Sequence, residues 1–216
     1  FSQPNNIQST PTDVNGDGVL DSSQHKLAAS DAFGTTSFAA ALNWNDALAP
    51  TAGETYIVTV PNLRTPTVAA DITFAGARLD LVDVSNGAVT NGRPQLLLKY
   101  DGATSITTTL PLINLNGGEI QNSATPDGTV HNLAGTINVA GPVKSYLAPK
   151  NGPLTVAAAI TGSGTLEFIN GNTATLNGVN TFTGNMNVIN TNGLILGETG
   201  SLKFVPTTNG VKNVIS

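Results

Sequence analysis

The chain has 216 residues, enough for a sizeable core, and only 11% of them are charged while 39% are hydrophobic. This balance excludes charge-rich disorder, and the formal net charge of −5 argues against a Lys/Arg-rich nucleic-acid-binding surface. The absence of Cys excludes disulfide scaffolds, thiol catalysts and zinc–thiolate sites, and no apolar run approaches the roughly 20 residues of a membrane-spanning helix.

Residues 1–34 are predicted to form an N-terminal arm or linker. The first twelve, FSQPNNIQSTPT, are polar and contain Pro, with no apolar periodicity, and the segment HKLAASDAF favours one short helical turn. The given sequence does not start with a basic and apolar leader, so we expect it to be a mature or excised form.

Within this arm the stretch DVNGDGVLDSSQ follows the first nine positions of a calcium-binding loop. Oxygen ligands fall at positions 1, 3, 5 and 9, a Gly stands at position 6, and position 7 offers a backbone carbonyl. The ligands expected from this spacing are Asp13, Asn15, Asp17, Val19, Asp21 and Gln24. Because Gln24 replaces the bidentate Glu of position 12, we expect a weakly bound, structural calcium ion. The alternative is an exposed Asp/Asn/Gly-rich turn that binds no metal.

Residues 35–70 are predicted to form an N-terminal cap and the first coils. Alternating apolar residues at Tyr56–Val60 indicate a strand with one buried face. Trp44 is interpreted as the plug of the cap, with a carbohydrate-stacking surface as the alternative.

From residue 71 to 216 the sequence predicts many strands of three to six residues, most of which end at Gly, Asn, Asp or Pro. They are Ile72–Phe74, Leu79–Val84, Gln95–Tyr100, Ser105–Thr107, Leu110–Leu115, Gly118–Gln121, Val130–Leu133, Thr136–Val139, Val143–Tyr146, Leu154–Ala157, Ala159–Thr161, Thr165–Phe168, Ala174–Leu176, Asn187–Ile189, Leu194–Leu196 and Ser201–Phe204. An antiparallel sandwich would space its strands more evenly, whereas recurring phrases such as LNGGEI, LAGTINV and LNGVNTF indicate stacked coils. The predicted fold is therefore all-β, a right-handed parallel β-helix (β-solenoid) with an N-terminal arm and cap. At roughly 20–25 residues per coil, residues 55–204 would give about six or seven coils.

The segment ITGSGTLEF…ATLNGVNTFTGNMNVINTNGLILGETGSLKF resembles the autotransporter-associated β-strand repeat. Upstream, residues 35–66 and the phrases ITFAGARLDLVDVSNGAV and INLNGGEIQN resemble the large secreted β-helix proteins of environmental bacteria that carry such repeats. This resemblance implies a right-handed parallel β-helix displayed outside the cell, with structural or adhesive roles and no established catalytic residues.

The residues themselves favour no catalytic site. Asp80 and Asp83 are three apart in a strand and are expected to point to opposite faces. The carboxylates of Asp71, Asp101, Glu119, Asp127, Glu167 and Glu198 are scattered near turns and are interpreted as surface groups that aid solubility, although neighbouring coils could bring some together. His25 and His131 lie far apart in sequence, and no G-x-S-x-G elbow accompanies them. Asn and Thr side chains are expected to stack and to hydrogen-bond between coils.

The expected function is that of a non-catalytic extracellular or cell-surface structural protein of a bacterium, a unit of a fibre, sheath or adhesin stalk. Its expected partner is a second copy, through head-to-tail assembly, and surface glycans are a further candidate. The alternative is a carbohydrate-binding or polysaccharide-cleaving β-helix, and a third interpretation is a passive spacer that does not self-assemble.

Overall fold

The computed structural model describes residues 38–59, 62–84, 92–99, 105–124, 127–189 and 191–197, together with the backbone of a short strand at 25–26. Among these residues the secondary structure is β-strand throughout, apart from one 3-10 helix at Ala41–Asn43. The strands are β1 (His25–Lys26), β2 (Thr55–Val58), β3 (Leu63–Arg64), β4 (Ile72–Thr73), β5 (Arg78–Val82), β6 (Gln95–Leu98), β7 (Ile106–Asn116), β8 (Glu119–Asn122), β9 (His131–Val139), β10 (Ser145–Ala148), β11 (Leu154–Val156), β12 (Ala159–Gly162), β13 (Thr165–Phe168), β14 (Gly171–Leu176), β15 (Asn185–Val188) and β16 (Thr191–Leu196).

All pairings between these strands are parallel, and each turn of the chain contributes three strand positions. One series runs β2, β5, the second half of β7, the second half of β9, and β12. The next runs β3, β6, β8, β10, β13 and β15. The last runs β4, the first half of β7, the first half of β9, β11, β14 and β16. This arrangement is a β-solenoid, which confirms the predicted all-β parallel β-helix.

Across the described residues the solenoid has about five turns, fewer than the six or seven predicted for residues 55–204. The difference comes from the second turn, which is much longer than the assumed coil. Leu79 pairs with Ile113, 34 residues further along the chain, whereas Ile113 pairs with Ile137, only 24 residues on. Loops of unequal length can leave the same strand positions stacked, because only the strands must match from turn to turn.

The core is a set of apolar columns that run along the solenoid axis. In the second series the inward column consists of Leu63, Leu96, Ile120, Leu147 and Phe168, all fully buried. Each fully buried Leu, Ile or Phe side chain contributes about 1.5–3 kcal/mol relative to an exposed one. Successive turns therefore stabilise one another mainly through these inward columns.

Four aromatic rings pack together at the first turn. Trp44 lies edge-on to Tyr56 with a centroid distance of 4.8 Å, and Tyr56 and Phe38 both contact Phe74 edge-on. The Trp44 indole Nε1 donates to the Phe38 carbonyl at 3.1 Å, so its one polar atom is satisfied inside the cluster. Trp44 is buried and presents no open ring face for a sugar, as expected of a plug.

Two local expectations differ from the structure. The first two residues of HKLAASDAF form β1, which pairs in parallel with Tyr56 and Ile57 of the first turn, and the rest of that segment lies outside the described residues. The strands predicted separately at 105–107 and 110–115 are joined in β7, and those at 130–133 and 136–139 are joined in β9. Each long strand continues around a corner, bending where the pairing register shifts between Leu110 and Ile113.

A glycine makes that corner possible. Gly135 has φ +103°, and a Cβ on it would overlap the Leu110 carbonyl oxygen of the preceding turn. No side chain fits there, because the backbones of two consecutive turns meet at this point.

Candidate functional site

Two columns of polar side chains run along the outer faces of the solenoid. In the first, the Asn114 Nδ2 donates to Asp80 Oδ1 at 2.9 Å, and the Asn138 Nδ2 donates to Asn114 Oδ1 at 3.0 Å. The Thr161 hydroxyl extends the chain to Asn138 Oδ1 at 3.3 Å. Asp80 is fully buried and also lies 3.1 Å from the Arg78 Nε. This ladder links four consecutive turns and realises the expected stacking of Asn and Thr.

The second column lies on the outer side of the second strand series. Its members are direct partners on neighbouring strands, in the order Gln95, Glu119, Tyr146, Glu167 and Asn187. The view of the carboxylates as scattered surface groups was therefore wrong for Glu119 and Glu167, which are both buried and share one column. Their strands are second neighbours in the series, which places their Cα atoms about 10 Å apart.

Each carboxylate of this column is paired with a basic side chain. The Arg93 Nη1 lies 3.1 Å from Glu119 Oε2, and the same guanidinium stacks on the Tyr146 ring with its Cζ 3.7 Å from the ring centroid. The Lys144 ammonium lies 2.8 Å from Glu167 Oε1, and the hydrogen bond and negative charge of that carboxylate raise the pKa of Lys144. The Asn187 amide also donates to Glu167 Oε1, at 3.3 Å.

Glu119 differs from Glu167 in one respect. Its second oxygen, Oε1, is buried and has no hydrogen-bond partner among the described residues, although the residue is only 3% exposed. The carboxylate borders an open groove of about 360 Å³. The polar side chains lining this groove belong to Arg93, Gln95, Glu119, Gln121, Lys150 and Asn170.

His131 has an inward, structural position. It lies fully buried between Ile106 and Leu154 of the adjacent turns, and its Nε2 hydrogen-bonds the Thr108 hydroxyl at 2.8 Å. Burial lowers the pKa of His131 to about 4, because the charged imidazolium would lose its hydration. The side chain is therefore neutral at pH 7 and does not face the groove.

The last described turn is open to solvent on its apolar side. Val188 follows Phe168 in the inward column of the second series, and Leu196 follows Leu176 in the third, yet Val188 and Leu196 are 43% and 46% exposed. Among the described strands, β15 and β16 are hydrogen-bonded only to the turn that precedes them.

The expected calcium ligands Asp13, Asn15, Asp17, Val19, Asp21 and Gln24 lie outside the described residues. Within the described ranges, no three His, Cys, Asp or Glu side chains come together in a way that could hold a metal ion. The second polar column was not anticipated, because Glu119, Tyr146 and Glu167 are separated by 27 and then 21 residues, and no fixed period in the sequence signals their alignment.

No protein-family model, no curated protein and no solved structure matches this chain. Among the described residues, no helix has the length and apolarity to cross a membrane.

Proposed function

We propose that the chain is a non-catalytic, extracellular structural unit of a bacterial surface fibre, sheath or adhesin stalk, and that copies assemble head-to-tail. The observation that carries this proposal is the continuity of the solenoid. Apolar columns inside and hydrogen-bonded polar ladders outside connect each turn to the next. Such a stack transmits load along its axis because every backbone rung is bonded to its neighbours.

The open last turn supports assembly through this end. Val188 and Leu196 continue buried columns but are themselves exposed, and the outer edge of β15 has no strand partner among the described residues. The N-terminal arm of a second copy, added as a strand to this open edge, would continue the stack along its axis. This contact is heterologous and does not close, so it builds filaments.

Two sets of variants test the proposal by sedimentation velocity and electron microscopy of the purified chain. Deletion of residues 1–12 is expected to abolish filaments, because we assign this arm to the contact with the neighbouring copy. Val188→Glu and Leu196→Glu are expected to do the same by placing charge on the open turn. Val84→Glu is the matched control, since Val84 is 58% exposed and follows β5, several turns away from the open turn.

Filaments that survive both the deletion and the two Glu substitutions would refute this mode of assembly. A wild-type chain that stays strictly monomeric at all concentrations would favour a passive spacer instead.

Polysaccharide cleavage is the second candidate, because Glu119 and Glu167 share one column. Glycoside-cleaving enzymes use two carboxylates that flank one bond. Here only Glu119 borders the groove, and Glu167 is engaged by Lys144 and Asn187. We therefore favour the structural role. Release of reducing sugar from any polysaccharide, lost in Glu119→Gln or Glu167→Gln, would reverse this preference.

A further inference from the structure

We propose that the groove beside Glu119 is a saccharide-binding subsite that recognises the hydroxyl groups of a neutral glycan. The subsite is separate from the head-to-tail contact, because it lies on the side of the solenoid and not at its open turn. A structural rod with such a site would carry its own means of adhesion.

The first argument is the state of Glu119. Its Oε2 is paired with Arg93, but its buried Oε1 accepts no hydrogen bond from the described residues. A buried acceptor without a donor costs about 1–3 kcal/mol, and more when it is charged. A ligand hydroxyl that donates to Oε1 would recover this free energy, which gives the groove a built-in preference for O–H donors.

The second argument is the chemistry of the groove walls. Gln95 is the strand partner of Glu119 on the preceding turn, and Gln121 follows Glu119 by two residues on the same face of β8. Amide side chains both donate and accept, as each sugar hydroxyl does. The positive charges of Arg93 and Lys150 on the same walls disfavour a metal cation, and the Glu119 carboxylate disfavours a free phosphate or sulfate. An uncharged polyhydroxylated ligand is compatible with both the anionic and the cationic side chains of the groove, because each hydroxyl can donate to a carboxylate and accept from a cation.

The third argument is preorganisation. The Arg93 guanidinium is fixed between the Glu119 carboxylate and the Tyr146 ring, so its position does not have to be ordered when a ligand binds. The same stacking covers a face of Tyr146, which leaves hydrogen bonding, not ring stacking, as the mode of recognition. A groove of about 360 Å³ that is open to solvent suits a short segment of a longer glycan chain.

The test is a titration of the full chain with soluble probes, followed by saturation-transfer NMR and calorimetry. The neutral probes are the hexasaccharides of β-1,4-glucose, α-1,4-glucose and β-1,4-mannose. Hexagalacturonate, inorganic phosphate and calcium chloride serve as acidic, anionic and cationic comparisons. We expect at least one neutral hexasaccharide to bind, and Glu119→Gln to weaken that binding at least tenfold.

Glu167→Gln is the matched control, because it also removes an ion pair from the same column but lies outside the groove lining. Its affinity for the neutral probe should equal that of the wild type. If Glu119→Gln fails to fold, as judged by circular dichroism, Gln121→Ala takes its place and should weaken binding several-fold. The proposal is overturned if no neutral probe binds, if phosphate or calcium alone binds, or if Glu167→Gln weakens binding as much as the groove variant.

Discussion

The Asn138 side chain donates a 3.0 Å hydrogen bond to the Asn114 side chain of the preceding turn, and Asn114 in turn donates to the buried Asp80 carboxylate at 2.9 Å. An amide suits the middle of such a ladder because it donates on one side and accepts on the other. A carboxylate can only end the ladder, which matches the position of Asp80. The order of these side chains therefore follows from their hydrogen-bonding capacity.

Replacing Asn114 with Ala should remove the donor to Asp80 and the acceptor for Asn138 together. Because Asp80 is fully buried, we expect a loss of about 1–3 kcal/mol in the free energy of unfolding. Urea denaturation measures this loss. Asn185→Ala, at an exposed position of β15, is the control and should change stability by less than about 0.5 kcal/mol. Equal effects of the two substitutions would contradict the ladder.

His131 should make the solenoid less stable in acid. Its pKa is about 4 in the folded chain and has its ordinary value of 6.5 in the unfolded chain, so the unfolded chain binds more protons between these values. Its contribution to the free energy of unfolding is complete above pH 6.5, falls progressively as the pH drops, and is lost below about pH 4. The total contribution is about 3 kcal/mol.

His131→Leu removes this titration and should flatten the stability profile between pH 6.5 and 4. Thermal unfolding across this range, together with NMR titration of the imidazole in the wild type, provides the measurement. The direct strand partners Ile106 and Leu154 do not ionise, so they leave the profile unchanged. An imidazole that titrates near pH 6.5 in the folded chain would disprove the buried, neutral state.

Gly135→Ala should be more damaging than an Ala substitution at another Gly of similar backbone conformation. Gly135 and Gly53 have φ of +103° and +92°, but only Gly135 has a backbone oxygen, that of Leu110, in the place of the new Cβ. The positive φ alone costs about 1–2 kcal/mol in both variants. The close contact adds to this cost at Gly135 alone. Similar unfolding midpoints for the two variants would contradict the close approach of these turns.

Trp44 is the only Trp in the chain, so its fluorescence reports on the aromatic cluster at the first turn. We expect blue-shifted emission that iodide quenches poorly, because the indole is buried against Tyr56 and Phe74. Trp44→Ala should lower the free energy of unfolding by about 3–5 kcal/mol, and Trp44→Phe by less. Saccharides should leave the emission unchanged, and a shift upon sugar addition would assign Trp44 a binding role instead.

The sequence also predicts one calcium ion bound by the loop from Asp13 to Gln24. We expect one site with a dissociation constant of roughly 10⁻⁴–10⁻³ M, since Gln24 replaces the bidentate Glu. Calorimetry should detect this site in the wild type and lose it in the double variant Asp13→Ala with Asp17→Ala. Asp127→Asn, in an exposed turn, is the control. Binding that persists in the double variant would place the ion elsewhere.

Local features of the sequence were enough to predict most of the strands. Thr165–Phe168 was predicted with its observed bounds, and Ala159–Thr161 differs from β12 by one residue. Apolar residues flanked by Gly and Asn mark such strands because turns require positive φ and strands require a buried face. The two-residue strands β1 and β3 were missed because so short a strand carries little periodicity, although the equally short β4 was predicted within Ile72–Phe74.

What the sequence alone determined is thus the β-solenoid, through its short strands, frequent turns and low content of charged residues. What only the tertiary structure decided is the register between turns, which aligns Glu119 with Tyr146 and Glu167 and joins Asp80 to Asn114. The physical reason is that register depends on the length of every intervening loop and on which side chains pack inward. Loops of different lengths can close the same turn, so the spacing of residues in the chain does not reveal which of them meet on the surface.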